Sequence, residues 1–422
     1  MADEQQLSYE EALEKVLSFG ERMPAEEIDF MDSLGRVLAE DVLSDIDVAP
    51  FDNSAMDGFA VIASDLEGAS EENPVTLDVI ELIAAGDAPV QAVKSGQAAR
   101  IMTGAAMPEG ADSVVKLEFT NAYKTDLGQA GQTVQIMAPV EKGANVRYAG
   151  EEVKAGGVVV PAGEEIGVAT IGLFAATGNT KVKVYRRPVV GIVATGSELV
   201  DVDEKPGPGQ IRNSNSYANA AQAMSAGADV IIYPVVEDTY EATLEVFKEA
   251  SEECDLIVTS GGVSVGDFDF VRPALETLGE VEFAKVNMRP GNPQTMGHIG
   301  KAILFGLPGN PSSCYVGFEA FLRPLIRKML GYKDLARPIV KAKLAVGQSK
   351  RQPRRYFLRG NVVKDEQGEY VANLDYSQSS ALLTAAHYAN AFIILPEGVG
   401  YVEKDTLVDC WLLDVEESGG IF

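Results

Sequence analysis

The feature that most constrains this chain is the regular exchange of apolar strand-length runs and helical runs between Val182 and Leu330. Strands are predicted at Val189–Ala194, Val230–Val236, Leu256–Thr259, Val281–Ala284 and Ala302–Phe305. Between and after them, helical patterns cover Asn213–Ala226, Tyr240–Ala250, Phe270–Leu278 and Ser312–Leu330, the first closed by Gly227. Such alternation predicts a parallel sheet with helices on both faces. In such a sheet, ligands sit at the carboxyl ends of the strands. The residues following each strand are therefore the first candidates for chemistry. They are Thr195-Gly196-Ser197-Glu198, Glu237-Asp238, the run Ser260-Gly261-Gly262 to Asp269, and Gly306-Leu307-Pro308-Gly309-Asn310-Pro311-Ser312.

The chain is longer than this one domain. At roughly 150 residues per domain, 422 residues suggest about three. Ser8 and Glu11 form a capping box ahead of a helix, and a second short helix is predicted over Leu34–Val42. From Phe51 the texture changes to short β-like runs separated by Gly, Pro and Asn, which reads as an inserted β module. A further helix is predicted over Ile166–Ala176. The expected fold is thus multidomain α/β and β, in four parts. Residues 1–50 plus 149–181 form a discontinuous helical and β domain, 51–148 the inserted β module, 182–331 the α/β domain, and 332–422 a C-terminal β-barrel-like domain.

Composition narrows the function. The net charge of −28 argues against binding nucleic acid or a membrane surface. With 3 Cys, 2 His and no CxxC, thiol and imidazole metal sites are excluded, so any metal is expected on oxygen ligands. No signal peptide and no apolar run of about 18 residues is evident, so a cytoplasmic location is expected.

Taken singly, the strand-end motifs stay open. Ser260–Gly266 is either a tight turn or a cradle whose amides hold phosphate. Ser312 is either an N-cap or a ligand. Asp238 opens Asp-Thr-Tyr-Glu, a second capping-box pattern. Glu198 and Asp269 are either solvated acids or, beside a phosphate, Mg²⁺ ligands. The stretch Ser349–Gly360 holds Lys350, Arg351, Arg354, Arg355 and Arg359, which is a basic face or an anion site to which Lys285 and Arg289 add.

The combination is specific. Asn53-Ser54-Ala55-Met56-Asp57-Gly58, Arg100-Ile101-Met102-Thr103-Gly104, Thr195-Gly196-Ser197-Glu198-Leu199, Ser260-Gly261-Gly262-Val263-Ser264-Val265-Gly266 and Leu307-Pro308-Gly309-Asn310-Pro311 occur in that order. Across essentially its whole length the chain resembles the molybdopterin molybdenumtransferase family, which includes the E domain of gephyrin. The resemblance implies four domains, an elongated homodimer, and insertion of molybdate into adenylylated molybdopterin with Mg²⁺-assisted release of AMP. It implies catalytic roles for Asp57, Thr103, Glu198, Asp238 and Asp269, with Mg²⁺ on Glu198, Asp238 and Asp269 and Asp57 reaching in from the partner subunit. Ser260, Gly261, Gly262, Ser264, Gly309, Asn310 and Ser312 would bind pterin or phosphate, and Lys285, Arg289, Arg354, Ser379 and Ser380 the oxyanion. The family usually has Lys where this chain has Arg289 and Asn292, and Glu-Asp where it has Glu151-Glu152, which leaves molybdate against tungstate open. Two other classes compete: a gephyrin-like scaffold with a protein partner and weak catalysis, and a generic Mg²⁺-dependent phosphoanhydride hydrolase.

Overall fold

The computed structural model describes residues 6–263 and 269–413. The segment Glu27–Lys183 forms one compact unit, and the chain before and after it forms another.

The second of these units is built on the predicted alternation. Its six-stranded sheet runs in the order Asp229–Ile232, Val189–Ala194, Leu256–Ser260, Ala302–Leu307, Pro293–Ile299, Glu280–Lys285. The first four strands are parallel. The last two are antiparallel to their neighbours, and the Pro293–Ile299 strand lies outside the sequence expectation. A parallel return needs a crossover of a dozen residues or more. Only Gly300 and Lys301 separate Ile299 from Ala302, so that pair can only turn back on itself.

Both faces of the sheet are covered, as its side-chain alternation requires. Leu256, Val258, Ile303 and Phe305 point into one core, with the helix Asn215–Ala226 and the long helical run Pro311–Met329. Ile257 and Leu304 point into the other, with Tyr240–Glu253 and Val271–Leu278. Gly227 ends the first helix in the left-handed conformation at φ 104, as expected from the sequence.

The capping box at Ser8 and Glu11 is formed, and it starts the helix Tyr9–Ser18. That helix does not join residues 149–181. Tyr9, Ala12 and Val16 are buried in the α/β core, with Phe321 5.4 Å from Tyr9 between ring centres. An amphipathic helix goes where its apolar stripe is covered, and here the cover is the Pro311–Met329 run.

The C-terminal segment closes a barrel. Arg355–Lys364, Tyr370–Asn373, Ile339–Leu344, Leu407–Leu412 and Ala391–Leu395 are joined in sequence around a sheet that returns to Arg355–Lys364. Its interior holds Leu344, Leu358, Ile393, Leu395 and Cys410. Met288–Arg289 adds to this sheet beside Arg355 and Tyr356, carrying a loop of the α/β domain into the barrel wall.

In the Glu27–Lys183 unit, a five-stranded sheet orders Ser113–Lys116, Gly58–Val61, Gln97–Ile101, Val75–Ile83 and Thr133–Ile136. This is the expected β module. The predicted helix over Ile166–Ala176 is present as Val168–Ala176. The predicted helix over Leu34–Val42 is absent. Leu38 instead pairs through its amide with the Glu164 carbonyl and Val37 bridges Glu165, so long-range backbone bonds replace helical ones.

Candidate active site

Chain order in the sheet reverses at the strand Val189–Ala194, whose successors lie on opposite sides of it. The carboxyl ends of this strand and of Leu256–Ser260 therefore border a crevice. A cleft of about 70 Å³ lies there, walled by Thr195, Glu198, Ser260, Gly261, Gly309 and Asn215 among others. Gly261 turns at φ +94, and a Cβ on it would meet the Thr195 carbonyl at 2.8 Å. Only glycine takes that turn without strain. Beneath it, the Thr195 hydroxyl is buried and has no hydrogen-bond partner among the described residues.

Of the expected acids, Glu198 is exposed at the cleft wall. Asp238 is half-buried and accepts the amide of Ser197, the residue before Glu198, at 2.8 Å. It is not a helix cap, since Thr239 takes that place and accepts the Ala242 amide. Glu198 walls the cleft and neither Asp238 nor Asp269 does, and among the described residues no group of three or more Asp, Glu, His or Cys is arranged to hold a metal ion. Two adjacent carboxylates are a hard donor pair of the kind that binds Mg²⁺ together with substrate phosphates. Glu198, and Asp238 tied to its neighbour Ser197, offer the hard oxygen donors that such a role needs.

Ser264 lies outside the described residues. Gly262 continues the turn in the left-handed conformation at φ +63. Ser312 is not the N-cap. Asn310 is the N-cap and Pro311 follows it, while Ser312 is fully buried. The Ser312 hydroxyl donates to the Leu382 carbonyl at 2.6 Å and its amide to the Ser380 carbonyl at 2.9 Å. The residue latches the α/β domain to the barrel.

A second and larger pocket, about 780 Å³, opens where that latch joins the two. Arg289, Arg351, Arg354 and Arg359 line it, with Ser379, Ser380, Gln378, Asn292 and Asn310, and no carboxylate residue belongs to its wall. Three of the five bases of the Ser349–Gly360 stretch thus face the pocket. The other two are spent elsewhere: Arg355 pairs with Glu10 and stacks on Tyr9, and Lys350 donates to the Pro396 carbonyl. Lys285 is not part of the wall. Arg289 is held by the Tyr356 hydroxyl at 3.2 Å and stacks 5.2 Å from its ring centre. Asn292 gives its amide to the Val286 carbonyl at 2.6 Å and clamps the loop that carries Arg289. Burial lowers the Arg354 pKa, and the neighbouring Arg289 adds to this. A pocket of mutually repelling cations with no acid is preorganised for an anion.

The two cavities share one turn. Gly309 and Pro311 wall the cleft, while Pro308 and Asn310 wall the arginine pocket.

In the Glu27–Lys183 unit, Asp57 precedes the strand Gly58–Val61 and Thr103 follows its neighbour Gln97–Ile101. Antiparallel pairing of Gly58 with Ile101 brings them together. Asp57 Oδ1 accepts the Thr103 amide at 2.7 Å and its hydroxyl at 2.8 Å. Those two bonds, the amide first, hold the exposed carboxyl below the usual range.

Sequence reasoning missed Arg212, Asn213, Ser214 and Asn215, which wall the cleft. Asn215 donates to the Gly309 carbonyl at 2.8 Å. The available signal was the Asn-Ser-Asn run itself, which reads locally as no more than the start of a helix.

Comparison with known proteins agrees along the whole chain. The family model for the MoeA N-terminal region (domain I and II) matches residues 7–178, that for a "probable molybdopterin binding domain" residues 191–328, and that for the MoeA C-terminal region (domain IV) residues 341–413. The molybdopterin molybdenumtransferase of Bacillus subtilis is 40% identical over 411 residues, covering 97% of this chain and 94% of that protein. Its counterpart in Staphylococcus epidermidis is 38% identical over 409 residues, covering 97% and 96%. The crystal structure of the molybdopterin biosynthesis MoeA protein from Pyrococcus horikosii superposes with a TM-score of 0.82 at 33% identity, covering 98% of this chain and 100% of that one.

Proposed function

The chain belongs to the MoeA family of molybdopterin molybdenumtransferases, and on that premise we propose that it transfers molybdenum from molybdate to adenylylated molybdopterin, releasing AMP. The observation that carries this reading is the shared turn Leu307–Pro311. It separates a glycine-lined cleft walled by one acid, Glu198, from an arginine pocket with no acid among its described lining residues. One substrate that is both a phosphate ester and the acceptor of an oxyanion needs these two surfaces side by side.

In this reading the Ser260-Gly261-Gly262 turn, Gly309 and Asn215 hold the pterin and phosphate portion. Glu198 and Asp238 would hold Mg²⁺, which when bound supplies positive charge against the phosphates. Arg289, Arg354 and Ser380 hold molybdate or tungstate, and the guanidinium forks match the anion's paired oxygens. Asn292 fixes the Arg289 loop rather than supplying a charge. The protein's own cysteines take no part: all three are buried, and the dithiolene sulfurs belong to the substrate.

Asp57, kept ionised by Thr103, serves the site of a second copy. An apolar surface supports the homodimer. The helix Val168–Ala176 is apolar almost throughout, yet Phe174 is its single buried residue and Val168 is 82% exposed. No helix among the described residues is long and apolar enough to cross a membrane. Free, buried thiols suit a reducing, cytoplasmic setting.

The test is reconstitution from purified protein, adenylylated molybdopterin, Mg²⁺, and molybdate or tungstate, following AMP and active cofactor. AMP released together with cofactor supports the transferase. No AMP from folded protein overturns it in favour of a gephyrin-like scaffold. Equal turnover of ordinary nucleotides without pterin overturns it in favour of a hydrolase.

A further inference from the structure

Resting on the oxyanion reading of the arginine pocket, we infer that Arg359 is a positioning residue that makes the Ser377–Ser380 loop an oxyanion site, by bracketing it and by placing a charge behind it that only the bound anion neutralises.

Arg359 lies on the barrel strand Arg355–Lys364 and is 1% exposed. Its backbone and the Gln378 side chain clasp each other: the Arg359 amide donates to Gln378 Oε1 at 3.1 Å, and Gln378 Nε2 donates to the Arg359 carbonyl at 2.8 Å. Its guanidinium donates from Nη2 to the Ser379 carbonyl at 3.1 Å and the Ser377 carbonyl at 3.4 Å. Side chain and backbone together therefore set the loop that presents Ser379 and Ser380 to the pocket.

The charge is the part that a bracket does not need. Carbonyl acceptors are satisfied by any donor, neutral or charged. A charge taken out of water is costly unless it is paired. Arg337 follows that rule and meets the buried Glu319 at 2.9 Å. Arg359 has no carboxylate partner among the described residues, in a chain with 63 acids, and its Nε is buried without an acceptor. Its nearest charged influence is repulsive. Burial first, then Arg289, push its pKa down to about 10. A buried cation facing other cations across a pocket lacks one thing, an anion.

Binding of molybdate and tungstate is measured by titration calorimetry on the full chain, with a thermal melt of each variant without anion. The variants are Arg359→Gln, which keeps a donor for the loop carbonyls, Arg359→Met, which keeps only bulk, and Arg359→Lys, which keeps the charge. Both neutral variants are expected to weaken binding by about tenfold or more, with a shallower dependence on salt, and Arg359→Lys to recover most of the affinity. If Arg359→Gln folds and binds within about twofold of wild type, the inference fails. If Arg359→Lys binds as weakly as the neutral variants, shape rather than charge is responsible and the inference also fails. Wild-type protein that binds neither anion would instead overturn the pocket reading itself. That outcome is visible before any variant is made, so the two failures are distinct.

Discussion

Replacing Ser312 by alanine separates a latch from a ligand. The hydroxyl donates to the Leu382 carbonyl at 2.6 Å from a fully buried position, while the Ser312 amide holds the Ser380 carbonyl at 2.9 Å. Alanine removes only the first bond and leaves a void of a single oxygen. A neutral hydrogen bond of this kind contributes about 1 kcal/mol net, and an acceptor stranded in the interior costs more. Leu382 is 43% exposed, so its carbonyl can take a water, and the cost stays near about 1 kcal/mol. For a unit of this size that lowers the melting temperature by roughly 2–4 °C. The single tryptophan is well placed to report it: Trp411 packs 5.3 Å from Phe357 and 6.0 Å from Tyr9 in the same unit. Urea unfolding followed by its fluorescence should show a lower midpoint, with pterin-substrate binding close to wild type. An unchanged midpoint together with markedly weaker pterin binding would refute the latch and return Ser312 to the substrate.

Thr103→Val keeps the amide bond to Asp57 and removes the hydroxyl, so the Asp57 carboxyl should titrate higher by NMR. A carboxyl whose folded pKa is depressed contributes stability above its unfolded value, and that stability is lost as pH falls through the folded value. The wild type should therefore be more stable than Thr103→Val at neutral pH, the gap should close in acid, and an unmoved Asp57 titration would contradict the bond. Gly58→Ala would place a Cβ 1.9 Å from the Val115 carbonyl oxygen in the middle of the five-stranded sheet. A cost of about 3 kcal/mol or more is expected, read as lost amide-exchange protection across Glu27–Lys183; wild-type protection would show that the strands do not approach so closely. Asp238→Asn preserves an acceptor for the Ser197 amide while deleting the charge. It should leave the melt unchanged and raise the Mg²⁺ needed for AMP release, and an unaltered Mg²⁺ requirement would remove Asp238 from the metal site.

Short-range pattern was enough for much of this protein. Apolar runs of strand length, the Ser8 cap, the Gly227 stop and the glycines after Ser260 act within a few residues of themselves, so the sequence by itself determined the alternating α/β domain and which residues end its strands. Sheet topology then places Glu198 and Asp238 on one edge wherever else the chain goes. Contacts between distant segments were decided only by the tertiary structure. Whether Tyr9 packs on Phe321, whether Arg355 meets Glu10, and whether Ser312 meets Leu382 depends on surfaces made by residues far away in the chain. The same holds for Asp238, which local pattern offered as a helix cap and the neighbouring strand end claimed through Ser197. In the Ser349–Gly360 stretch five bases look alike in sequence. Arg351, Arg354 and Arg359 line the pocket, while Glu10 and the Pro396 carbonyl, both brought alongside from far away in the chain, hold Arg355 and Lys350 elsewhere. The physical reason is range: backbone propensity and capping are local energies, whereas burial and ion pairing are settled by whatever surface the completed fold brings alongside.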